Sequence, residues 1–248
     1  LSAESMPAGL SAQVGLRPQL LSYDVTDDSG FNAGTNPVQT VGPGENIVYN
    51  WYAGLRTWED GTVTDTAVEL GAINLLPADP SQVAAGLFGA LIIEPADAEW
   101  VIPMAGDRTN ARVLSGGAVF QEYVLQYTSA DGCQAGVNYR ASACEQSPYL
   151  MPALAGEPVR IRLLHPGGSG GGSFALHGHL WQASPYTATG LGDSATSRSE
   201  GVAVNLGAGA HREILIEAGG AFARTGSYPW TWGDVRGELR VFDPPTEE

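Results

Sequence analysis

The chain has 248 residues, of which 43% are hydrophobic and 16% charged, a composition that can bury a sizeable core and does not suit a disordered tail. Acids outnumber bases 27 to 12, and a net charge of −15 repels phosphate backbones and anionic lipid, which excludes nucleic-acid binding as the main role. All 12 bases are Arg, so Schiff-base or general-base chemistry by Lys is excluded, and no apolar stretch approaches the ~20 residues that a membrane helix needs.

With 33 Gly and 16 Pro, the sequence favours many turns and short strands over long helices. Residues 46–52, β-branched and aromatic and preceded by Gly42-Pro43-Gly44, predict the first strand. Residues 79–87 predict the one short helix. A continuous apolar run over 90–93, stopped by Pro95, predicts the next strand. Further strands follow over 123–127, 159–164, 174–181, 202–204, 212–216 and 239–242, with turn signals between them at sandwich-like intervals. The expected fold class is all-β.

An internal repeat divides the chain. Gly44-Glu45-Asn46-Ile47-Val48 is similar to Gly156-Glu157-Pro158-Val159-Arg160, and the segment Gly89 to Pro95 is similar to Gly237 to Pro244. Two β-sandwiches are therefore expected, over 1–98 and 99–248. The first carries 12 acids and 2 Arg, for −10, and the second 15 acids and 10 Arg, for −5. The glycine-rich run 167–173 reads as a connection between two strands. It lacks the following helix and the Lys that a phosphate cradle requires.

Cys133 and Cys144 flank one short polar loop. An even count in such a loop predicts a disulfide and an oxidising compartment, with two free thiols as the alternative. Closing the loop is worth roughly 3 kcal/mol on the chain-entropy account. The chain begins with Leu1, and no basic segment followed by an apolar run is present. The expectation is an extracytoplasmic protein, periplasmic or secreted, whose signal peptide was removed, or a piece of a longer chain.

Four segments carry a family resemblance. Phe174-Ala175-Leu176-His177-Gly178-His179-Leu180-Trp181-Gln182 resembles the third copper motif of the multicopper oxidases, His-Pro-x-His-x-His-Gly-His. Val159-Arg160-Ile161-Arg162-Leu163-Leu164-His165-Pro166 resembles the strand before it, and Gly226-Ser227-Tyr228-Pro229-Trp230 the approach to the fourth motif. Residues 82–95 are similar to the tail of the second motif. The resemblance spans roughly 40 to 243 and implies Greek-key cupredoxin domains.

The resemblance does not extend to the copper ligands. A blue copper site uses a Cys thiolate and two imidazoles, and the family's trinuclear cluster uses eight His. This chain has four: His165, His177, His179 and His211. Gly172 stands at the position of the blue-copper His and Ala175 at the next ligand position. Of that motif's copper ligands only His177 remains, since the final His of the motif, matched by His179, is normally not one. Leu76-Pro77-Ala78 replaces the His-x-His of the second motif, and Thr231-Trp232-Gly233 the His-Cys-His of the fourth. No resident metal or cofactor is expected. The fallback metal set is His177, His179 and His211 with copper, the first two read as one face of a strand. His165 reads as a strand-end loop residue.

Trp230 and Trp232 alternate on one strand face, either filling the vacated pocket or forming an exposed partner-binding pair. No Gly-x-Ser-x-Gly motif and no identifiable pair of catalytic acids is present, so the acids read as a solvated face and no catalytic residue is assigned. The leading expectation is a non-catalytic docking or assembly subunit of a larger extracytoplasmic complex. Its partners would be other protein subunits, such as those of a redox or membrane complex, and it has no transmembrane segment of its own. The runners-up are the C-terminal half of a multicopper oxidase with its copper elsewhere, and a mononuclear copper carrier.

Overall fold

A computed structural model describes residues 9–67, 71–101, 108–129, 136–138, 141–142, 149–168, 170–184, 186–187, 190–191 and 197–245. The chain is nearly all β and divides into two compact units, Leu1–Ile93 and Glu94–Glu248. Among the described residues no helix is long and apolar enough to cross a membrane.

The first unit contains β1 (Leu16–Pro18), β2 (Gly54–Glu59), β3 (Thr62–Ala67), β4 (Gly71–Pro77), α1 (Ser81–Ala84) and β5 (Gly89–Ile93). β1, β4 and β5 form one antiparallel sheet, and β2 and β3 form a separate two-stranded hairpin. The expected helix is a single turn. The Asp79 carboxylate starts it by accepting the Ser81 backbone N–H at 2.9 Å and the Ser81 hydroxyl at 2.7 Å.

The strand expected over 46–52 does not form. Only Tyr52 pairs, in an isolated bridge to Ser22. Its aromatic residues bond to loop backbone instead: Tyr49 Oη donates to Gln39 O at 2.6 Å and Trp51 Nε1 to Asp28 O at 2.9 Å, with the two rings stacked at 5.7 Å. Asp28 Oδ1 takes the Asn50 N–H at 2.7 Å. Side-chain bonds of this kind offer the backbone an alternative to a ladder, and here they outcompete β-propensity.

The second unit contains β6 (Glu99–Val101), β7 (Asn110–Ser115), β8 (Ala118–Ser129), β9 (Gly136–Val137), β10 (Ala141–Ser142), β11 (Tyr149–Leu154) and β12 (Pro158–Gly168). It continues with β13 (Gly172–Leu176), β14 (Trp181–Gln182), β15 (Tyr186–Thr187), β16 (Gly190–Leu191), β17 (Ser199–Glu200), β18 (Val202–Leu206), β19 (His211–Glu217), β20 (Gly226–Trp232) and β21 (Val235–Phe242). One large sheet joins β8, β12 and β19 to β6, β7, β9 and β10. The other runs β11-β21-β20-β13-β18. Alternating residues of both sheets, among them Leu125, Ile161, Leu163, Phe174, Ile214 and Leu239, share one buried cluster, as in a two-sheet sandwich. Each sheet contains one parallel pair, β8–β12 inside the first and β11–β21 at the end of the second.

The repeat has a structural counterpart in each unit. Glu45 accepts the backbone N–H of Gly42 at 2.7 Å, and Glu157 accepts that of Leu154 at 3.0 Å, each acid clasping the turn three residues upstream. The matched closing segments are the strands β5 and β21.

Candidate functional site

The positions that resemble the third and fourth copper motifs lie at β13 and β20, neighbours in the second unit. Phe174 pairs with Trp232, Ala175 with Thr231 and Leu176 with Trp230. The alternation of β20 turns Trp230 and Trp232 inward, and both are fully buried. Their burial favours the pocket-filling alternative and excludes the exposed pair. Trp232, at the position of the copper thiolate, packs against Tyr127 at 5.1 Å and edge-on to Phe174 at 6.3 Å. Trp230 packs on Phe174 at 5.7 Å and has room because position 237 is Gly: a Cβ there would lie 2.1 Å from its ring.

His165 lies at the same cluster, tilted over Tyr127 at 5.0 Å and completely buried. This corrects its reading as a strand-end loop residue. A register shift between Leu164 and Gly167 lets β12 continue through it, and its backbone bonds to Ala210 and Gly209. Burial pushes its pKa down, favouring the neutral ring.

His177 and His179 do not share a strand face. β13 ends at Leu176, and Gly178, at φ +80°, turns the chain, leaving His177 exposed and His179 buried. His179 Nδ1 bonds His177 O at 3.2 Å, so it carries the proton, and Nε2 accepts the Gly219 N–H at 3.2 Å. Its ring stands edge-on to Tyr228 at 4.8 Å. Burial lowers its pKa. Both ring nitrogens are thus engaged with the chain's own backbone. His211 opens β19 opposite Leu164, half-buried, with its pKa lowered by burial. Among the described residues no group of three or more His, Cys, Asp or Glu is placed to hold a metal. The residues at the copper positions, an indole where a thiolate would stand and Gly172, Ala175 and Thr231 where imidazoles would, do not fit that metal. Cys133 and Cys144 lie outside the described residues.

The reading of the acids as a solvated face needs correction in the second unit. Arg160 and Arg162, which alternate on β12 with the core residues Val159, Ile161 and Leu163, sit in a buried ion network. Arg160 donates to Glu122 at 2.6 Å and to Glu94 at 2.7 Å. Arg162 pairs with Glu94, with Glu213 and, at 2.9 Å, with Glu122. The Phe120 ring covers the Arg160 guanidinium at 4.0 Å. A groove of about 560 Å³ opens beside His179, lined also by Leu180, Trp181, Gln182, Leu215 and Glu217. The alternation of Arg160 and Arg162 with apolar residues marked a strand but not the burial of its bases, and nothing local signalled the groove.

No family model matches the chain, and no curated protein matches it. Solved structures do. A multicopper oxidase aligns at 18% identity and TM-score 0.56, over 93% of this chain and 70% of that one. The blue copper oxidase from Nitrosomonas europaea aligns at 12% identity and TM-score 0.55, over 94% and 70%. A multi-copper oxidase from Pseudomonas thermotolerans aligns at 18% identity and TM-score 0.59, over 95% of this chain and 52% of that one. This chain therefore has a multicopper oxidase-like cupredoxin fold.

Proposed function

We propose that this chain is a non-catalytic docking or assembly subunit of a larger extracytoplasmic, redox-active complex, with no redox metal of its own. The observation that carries the reading is Trp232. A fully buried indole at the thiolate position supports a core rebuilt for packing rather than for copper. Net charge supports the rest: an excess of 15 acids steers encounter with a basic partner and fixes its orientation more than it adds affinity.

Intact mass and copper content of the native polypeptide, with native electrophoresis at rising salt, test the reading. A copper-free chain near 25.9 kDa that travels with a larger assembly and leaves it as salt screens surface charge agrees. A free monomer at every ionic strength, with no partner in crosslinking, refutes it.

A second reading is that the chain is the ligand-free part of a multicopper oxidase whose copper is held elsewhere. It is favoured by the alignment of nearly all of this chain with only 52% of the Pseudomonas thermotolerans oxidase. A much longer native polypeptide carrying copper would decide for it. One equivalent of copper retained by the chain, and lost on His177→Ala, would decide instead for a carrier.

A further inference from the structure

The hairpin of β2 and β3 is built unlike the rest of the first unit. Asp60 and Gly61 turn it with positive φ at both positions, +48° and +79°, the geometry of a tight two-residue hairpin. Every residue from Leu55 to Thr66 is exposed. Cross-strand pairing puts Arg56, Trp58, Val63 and Asp65 on one face, where Arg56 and Asp65 form an ion pair at 2.7 Å. Trp58 is 70% exposed there, and Leu55, on the opposite face, 62%. An isolated hairpin is marginal in water, and a flat, uncovered edge invites another strand.

Charge decides which strand. The hairpin carries Glu59, Asp60 and Asp65 against Arg56, a net of −2, and the unit Leu1–Ile93 carries 10 acids against 2 Arg, a net of −8. A second copy would bring like charge against like. We infer that this hairpin is a docking arm that adds an extended, basic segment of a partner protein to its edge. The backbone supplies the ladder, Trp58 supplies a face for an Arg or Lys, and Glu59 and Asp60 supply the counter-charge. The inference rests on the docking reading above and names the kind of partner it requires.

The test titrates the full chain with a peptide of about ten residues, a typical strand length or slightly more, in which Arg and Val alternate. One control alternates Glu and Val, and a second keeps the Arg residues but places Pro between them, which removes the ladder donors. Calorimetry reads affinity, and amide hydrogen exchange reads location. The Arg–Val peptide is expected to bind about tenfold or more tightly than either control and to slow exchange over 54–67. It should lose about tenfold in affinity with Trp58→Ser and with the pair Glu59→Gln and Asp60→Asn. Equal binding by the Pro control, protection elsewhere in the chain, or indifference to both variants overturns the inference, as does salt-insensitive dimerisation abolished by Trp58→Ser. The two readings fail separately. A native complex that survives Trp58→Ser leaves the docking reading standing and removes the hairpin from it. A chain without partners removes the docking reading, while the peptide titration still judges the hairpin.

Discussion

Nε2 of His179 accepts the backbone N–H of Gly219 at 3.2 Å, which fixes this His as a neutral ring with its proton on Nδ1. Burial lowers its pKa from 6.5, as it does for His165 and His211. The unfolded chain then binds protons that the folded chain refuses. Stability is complete above the ordinary value of 6.5 and declines as pH falls below it toward the lower folded values. Thermal unfolding from pH 8 to 5 checks this, and a midpoint that rises on acidification contradicts it. His179→Phe should strand the Gly219 donor, costing about 1–3 kcal/mol, and should flatten part of the acid slope.

The buried ions predict an asymmetry. Arg162 pairs with Glu94, Glu122 and Glu213, so Arg162→Met leaves acids facing each other without water and should cost about 3–5 kcal/mol in chemical denaturation. Glu94→Gln removes one of three carboxylates shared by two guanidiniums, and should cost clearly less. Equal costs would mean that the network is not held by charge.

Trp232→Ala tests the rebuilt copper position. Deleting a fully buried indole should lower stability by about 3–5 kcal/mol. Copper content, measured on the same preparation, should not change. A loss below about 1 kcal/mol would show that the sandwich collapses into the space.

Cys133 and Cys144 are expected to be bridged. Intact mass should rise by about two hydrogens on reduction, and neither Cys should alkylate beforehand. Alkylation of both without reductant refutes the bridge.

Much of the second unit was legible because its signals are local. Alternation at Val159-Arg160-Ile161-Arg162-Leu163 marks a strand with two different faces, and Trp230 and Trp232 mark another whose indoles point one way. The acids that meet Arg160 and Arg162 were not legible, since Glu94, Glu122 and Glu213 are dispersed along the chain and only the fold gathers them. Residues 46–52 misled because β-propensity cannot register the side-chain bonds that hold Tyr49 and Trp51 out of a ladder. The hairpin was legible but overlooked: Asp60-Gly61 between residues of strand character is a strong short-range hairpin signal. His177 and His179 were misplaced by assuming that a strand continues through Gly178.

Strand β11 stands at the end of its sheet and pairs in parallel with β21, Tyr149 opposite Gly237 and Leu154 opposite Phe242. During synthesis, the first of these strands is therefore made long before the second exists. Bringing them together closes a long loop, and that entropy is lost before any contact repays it. Until β21 emerges, a nascent chain presents Tyr149 and Met151 on an open edge, the kind of surface that chaperones hold and that other chains aggregate on. Ribosomes stalled before Val235 should carry a protease-sensitive second unit, and release of the remaining residues should protect it in one step.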